Sequence, residues 1–252
     1  MYAILIFFAA HWILSIFAQT FFLHRYGAHR MFTMSRFWDR FFYVFSFVAQ
    51  GPSFLIPKAY AYLHREHHAF ADSERDPHSP LYHSNVGSMM WKTKAQYDAY
   101  AYEGIEPETR FRGGTPEWPT IDRLSQRWVV RIGLGALYAC FYLAFAPSLI
   151  WFALLPIHWL MGPIHGAIVN WCGHKYGYRN FDTRDASRNT LPIDFLTMGE
   201  LFQNNHHQHG ADANFAARWF EIDPCYQVMR VLHVVGIIDL EGVPSARLPA
   251  QA

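Results

Sequence analysis

Residues 1–29 read MYAILIFFAAHWILSIFAQTFFLHRYGAH, and two features of that stretch decide the fold. Through Leu23 it carries no Lys, Arg, Asp or Glu. At about 1.5 Å of rise per residue, a helix of that length suffices to cross the roughly 30 Å apolar core of a bilayer. Directly after it come His24 and His29, where the basic residues Arg25, Arg30 and Arg36 begin. The block has no basic segment ahead of it and no small-residue cleavage site behind it, so it reads as a span rather than a cleaved leader.

The rest of the chain alternates in the same way. Residues 132–170 hold no charged side chain and are divided by Pro147, which predicts a hairpin of two spans at about 128–147 and 148–170. A third apolar block, 41–57, is interrupted by Gly51-Pro52 and ended by Pro57, at the lower length limit for a crossing. Residues 58–127 and 175–252 are polar and charged. They include the turn-rich runs Asp72–Pro80 and Gly113-Gly114-Thr115-Pro116, and an apolar-periodic stretch, Val228–Leu240, that predicts a helix. The predicted fold class is all-α: one integral membrane domain over 1–252, with a helical cap formed by 58–127 and 175–252. All 21 Lys and Arg lie outside 1–24 and 132–170, which by the positive-inside rule puts the cap in the cytoplasm and the N-terminus outside.

Composition narrows the function. Of the 252 residues 52% are hydrophobic and 16% charged, with 18% aromatic, which excludes a disordered chain. A net charge of +1 gives no basis for nucleic-acid binding. Cys140, Cys172 and Cys225 have no CxxC spacing, so neither a disulfide framework nor a thiolate metal site is expected.

Histidine is the outlier, with 15 copies. Four groups stand out: His24 with His29, His64-Arg-Glu-His67-His68, Asn170 with His174, and Gln203-Asn-Asn-His206-His207. On a helix His64, His67 and His68 share a face, and Gln203, His206 and His207 repeat that spacing. His24 and His29 are about 140° apart on an α-helix, so they share a face only if the helix ends between them, and Gly27 is the expected end. One site built from all four groups requires them on one side of the membrane. The segment from His29 to His64 is too short for two crossings, so 41–57 is expected to lie in the membrane plane or re-enter it. Neutral imidazoles suit Fe, Zn, Cu and Ni, and eight of them exceed what one tetrahedral zinc uses, which points to two metals. Glu66, Asp72, Asp76, Asp182 and Glu200 are candidates to accept hydrogen bonds from the outer ring nitrogens.

From His24 to about Pro224 the chain resembles the membrane fatty acyl desaturases, in particular the bacterial acyl-CoA desaturase type. The three histidine boxes, Asn170 with His174, the run Asp72-Ser-Glu-Arg-Asp-Pro-His-Ser-Pro80 and the run Gly199-Glu-Leu-Phe-Gln-Asn-Asn-His-His207 carry the resemblance. It implies a di-iron centre at the cytosolic face of the membrane, in bacteria the inner membrane. That centre uses O2 as co-substrate to remove two hydrogens from an acyl chain lying in a narrow tunnel, leaving a cis double bond. The implied ligands are His24, His29, His64, His67, His68, His174, His206 and His207, with Asn170 and Gln203 outside the direct set or acting through water. Two departures from the family pattern stand out. Gln203 occupies a position usually held by His, and the chain opens where the second of four spans would lie. No iron–sulfur cysteine cluster or haem domain is visible, so electrons are expected from a separate ferredoxin- or cytochrome b5-like partner. The substrate is expected as acyl-CoA or a lipid-linked acyl group, with membrane lipid around it.

The remaining histidines are assigned lesser parts: His78 to the turn motif, and His83, His209 and His233 to the surface or to support. His11, His158 and His165 lie inside spans and are expected to be neutral and hydrogen-bonded across helices. Arg110, Arg112, Arg123 and Arg127 either solvate the cap or meet a headgroup. Trp12 lies roughly 18 Å along the helix from His24, and it is the candidate for closing the tunnel end. Two other classes compete with the desaturase: an oxygenase acting on an alkane, sterol or carotenoid with the same scaffold, and a metal transporter. The transporter needs ligands at mid-membrane, whereas the best candidates cluster at its face.

Overall fold

The computed structural model describes residues 2–241. Helix α1 (Tyr2–Phe17) runs without a break into a π-helical segment, Ala18–Ala28, giving an apolar rod of 27 residues. Helix α6 (Trp128–Phe145) is the second helix long and apolar enough to cross a membrane. Both begin and end close to stretches expected as spans and qualify by length and composition, and the protein is a helical membrane protein.

The third expected span, 148–170, is not one straight helix. A 3-10 turn at Leu149–Leu154 leads into α7 (Leu155–Trp159), and α8 (Met161–Gly173) follows after a bend of 72°. Proline sets the break. Pro163 has no N–H and its ring would collide with the carbonyl of Trp159, so the α-helical ladder cannot pass through Leu160. The Gly162 N–H left free by the break donates to Ser53 Oγ at 3.1 Å.

Helix α2 (Arg36–Gln50) begins five residues before the apolar block suggested, because Ser35 caps it by accepting from the Trp38 N–H. Gly51, at φ 54°, ends it in a conformation that disfavours other residues. At 15 residues it is short for a crossing. One face, with Phe42, Tyr43 and Ser46, packs inward, and Phe37, Phe41, Val44 and Val48 form an apolar stripe on the other. Pro57 then opens α3 (Pro57–Phe70), which packs against the π-helical segment. Between them lies the main core, with Phe21, Phe22, Phe32, Phe42, Tyr43, Phe54, Phe202 and Phe215.

The cap adds α4 (Val86–Ala101), α5 (Pro119–Gln126), α9 (Gln203–Gln208) and α10 (Pro224–Val234). The helix expected at Val228–Leu240 is shifted. Asp223 caps α10 four residues earlier, accepting from the Tyr226 N–H at 3.0 Å. Gly236, at φ 75°, then turns the chain into β2 (Ile238–Asp239), which pairs antiparallel with β1 (Thr33–Met34). Of the expected cap, residues 242–252 lie outside the described region.

Candidate metal centre

The first box is placed by a change of winding, not by a helix end at Gly27. In the π segment hydrogen bonds run five residues back, and the His29 N–H donates to the His24 carbonyl at 3.0 Å. Residues five apart then stack on one side, so His24 and His29 face the same way. Arg25, inside this turn, is fully buried. It donates to Asp223 Oδ2 at 2.7 Å, lies 3.6 Å from Glu200 Oε1, and stacks on Phe215 at 3.9 Å. The segment is thereby tied to the chain that carries the third box.

The eight histidines fall into two adjacent groups. His24, His29, His64, His68 and His206 form one, and His67, His174 and His207 form the other, with ligand atoms in each group within 4.8 Å of one another. Helices α3 and α9 each serve both. His64 and His68, four apart, enter the first group, while His67 on the intervening flank enters the second. On α9, His206 and His207 divide in the same way. Gln203 sits one turn earlier, packed on Gly173. A Cβ at Gly173 would come within 2.4 Å of Gln203 Cγ, so only glycine lets α9 approach the end of α8 so closely. The Gln203 amide donates to the Glu200 carbonyl at 2.7 Å.

Carboxylates fix the rings. His67 Nδ1 donates to Asp76 at 2.9 Å, His174 Nδ1 to Asp72 at 2.8 Å, and His207 Nδ1 to Asp185 at 2.7 Å. Glu200 Oε2 is 2.6 Å from His24 Nδ1, though poorly aligned for a hydrogen bond. Asp72 and Asp76 were among the candidates. Asp72 holds φ 57° at the end of α3, which aims its carboxylate back toward His174. Two other candidates are placed elsewhere: Glu66 accepts from Tyr100 at 2.6 Å, and Asp182 is exposed beside Arg179. Asp185 was missed, because a loop carboxylate with no fixed spacing to a box leaves no periodic signal.

Electrostatics follow from burial and these pairs. Burial, helped by neighbouring imidazoles, pushes His29, His64, His68 and His206 well below the usual histidine range. Burial likewise lowers His207 to about 4, against the pull of Asp185. At His67 the burial effect is outweighed by Asp76, and the ring is raised. Burial would raise Asp72, but its bond to His174 prevails and takes it down to about 2.

The rings fit metal ions. With Nδ1 of His67 and His207 donating to carboxylates, each Nε2 carries a lone pair, yet these two nitrogens are 3.2 Å apart. In the first group His206 Nε2 is 3.1 Å from His24 Nε2, 3.1 Å from His29 Nε2 and 3.0 Å from His68 Nε2. Protons cannot satisfy five converging nitrogens pairwise; a cation among them does. Among the described residues, His29 Nδ1, His174 Nε2 and His206 Nδ1 are buried without a hydrogen-bond partner.

A cavity of about 1220 Å³ reaches this centre, larger than most small-molecule pockets, which run about 300–1,000 Å³. Its mostly apolar wall is formed by α4, α6, α8 and the Pro52–Leu55 turn, and at the metal end by His64, His78, Asn170, Glu200 and Gln203. Ile16 and Gln19 are its contribution from the first rod. Trp12, expected at the tunnel end, is not on the wall. Its indole donates to the Leu196 carbonyl at 2.8 Å and meets His165 edge-on. His11 and His158 are bonded across helices as expected, Nδ1 to Nδ1 at 2.6 Å, with Tyr142 at 2.9 Å from His158 Nε2. His165 has no such partner. His78 lies in the expected turn and is buried against His67, with ring centroids 4.2 Å apart.

Comparison with known proteins finds relatives among the desaturases. A delta-9 desaturase-like 4 protein of Arabidopsis thaliana is 30% identical over 235 residues, which cover 90% of this chain and 72% of that one. A hex-5-enoyl acyl-carrier-protein acetylenase of Moorena producens is 28% identical over 261 residues, 94% and 76% of the two chains. An sn-1 stearoyl-lipid 9-desaturase of Anabaena variabilis is 27% identical over 233 residues, 90% and 79%. Residues 1–232 match the family model for fatty acid desaturases, and with its histidine boxes in that order the chain belongs to the fatty acid desaturase family.

Proposed function

We propose that the protein is an O2-dependent fatty acyl desaturase that introduces a cis double bond into a saturated acyl chain. Its eight boxed histidines hold two irons. The observation that carries this reading is the apolar cavity ending on His64, Asn170 and Gln203 beside both histidine groups. Bound there, an iron pair with O2 supplies the oxidising power to take hydrogens from an alkyl chain, which has no proton acidic enough for a side-chain base. The protein's own share is positional. Asp76, Asp72 and Asp185 keep the protons of His67, His174 and His207 on Nδ1 and turn Nε2 inward. The apolar wall holds the chain extended and keeps water from the reacting carbons.

The centre faces the cytoplasm, where a separate ferredoxin- or cytochrome b5-like donor delivers electrons, and 41–57 does not cross the bilayer. The acyl group arrives on coenzyme A or a membrane lipid. Co-expression with an electron donor, followed by mass spectrometry of the lipids, tests the reading. Loss of two hydrogens from a saturated chain is expected. Gain of an oxygen atom would indicate an oxygenase instead, and unchanged lipids would exclude both.

A further inference from the structure

We propose that His78 is a ninth metal-facing histidine, completing the group formed by His67, His174 and His207. This rests on the reading that the two groups hold metals. The first group has five imidazoles and the second three. The α9 residue beside the second group is Gln203, whose amide nitrogen is already committed to the Glu200 carbonyl. An amide oxygen is a weak neutral donor, so the second position lacks a strong fourth ligand.

His78 has the attributes of the absent ligand. It is 3% exposed, and neither of its ring nitrogens has a hydrogen-bond partner among the described residues. A buried polar atom without a partner is costly, and both nitrogens of this ring call for one. One of its nitrogens lies within 4.8 Å of ligand atoms of His67 and Asp76. The ring also lines the acyl cavity together with Asn170 and Gln203.

The loop that carries His78 is built around the same orienting carboxylates. The His78 backbone N–H donates to Asp76 Oδ1 at 2.9 Å, and Asp76 holds His67. The Ser79 hydroxyl donates to Asp72 Oδ1 at 2.6 Å, and Asp72 holds His174. Two of the three rings of the second group are thus fixed by the segment that delivers His78. His78 stands beside His67 and Asp76 and outside the 4.8 Å set formed by His67, His174 and His207, so joining that set requires its side chain to turn.

Metal counting tests this without reference to turnover. Full-length protein in detergent is loaded anaerobically with Fe(II), desalted, and its iron measured by mass spectrometry. Wild type should retain two irons per chain, His78→Ala one, and the double variant His78→Ala with Gln203→His two again, because residue 203 then supplies the imidazole. The metal-free forms should unfold at the same temperature. If His78→Ala does not fold, His78→Gln takes its place with the same expectation. Two irons retained by the single variant would overturn the inference. So would a loss that Gln203→His fails to restore, since that marks a role in folding alone. Fewer than two irons in wild type would instead remove the two-metal reading on which the inference stands.

Discussion

At His207 the direction of the inward ring nitrogen is set by Asp185, a residue 22 positions away in an irregular loop. Ligands and their orienting partners differ in how legible they are. The proposed ligands sit on helices at fixed spacings, so His64, His67, His68, His206 and His207 declare themselves. The carboxylates come from loops that pack by tertiary contact: Asp72 and Asp76, near a box, are among the five candidates the sequence offers, and Asp185 is not. A turn motif likewise accounts for the sequence around His78 but not for its burial. Asp185→Asn preserves the shape and removes the charge that favours Nδ1 protonation. Outer carboxylates of this kind are worth 10–100-fold in metal affinity, so chelator competition should show iron released about that much more readily. Affinity equal to wild type would mean that Asp185 merely fills space.

Helix winding decides how the elements meet the site. An α-helical reading of His24 and His29 required a helix end at Gly27; a π segment of 11 residues achieves the same convergence without one. Hydrophobicity cannot distinguish the two, because both bury the same apolar residues. Likewise, the apolar count of 148–170 suggested a span, while Pro156 and Pro163 break it into the 72° elbow that contributes Gly162, Gly166 and Asn170 to the cavity. Helix α2 is the element on which the one-sided site depends. Its 15 residues and its outward stripe of Phe37, Phe41, Val44 and Val48 suit a helix lying in the membrane surface. In a background without native cysteines, Arg36→Cys and Lys58→Cys should both react with an impermeant thiol reagent from the cytoplasmic side. Labelling from opposite sides would mean that α2 crosses, and it would separate His29 from His64.

The whole molecule places an oily chamber beneath a polar cap, with the histidines where the two meet. That division was readable from the alternation of charge-free and charged blocks, and so was the convergence of the boxes. The cavity's wall was not, because it draws on α1, α4, α6 and α8 at once. Gly166 lies on that wall, and a Cβ there meets only Gln19 Nε2, at 3.9 Å. Gly166→Phe should therefore grow into the cavity and shift products toward shorter acyl chains, whereas Trp12→Ala should leave the chain-length distribution unchanged. The distribution of products from a mixed saturated pool checks both. The central claim, that eight histidines in two groups form a di-iron centre, is tested most directly by iron analysis and Mössbauer spectroscopy of purified active protein. Two irons per chain in nitrogen-rich sites are predicted, and zinc as the sole metal in active protein would contradict the account.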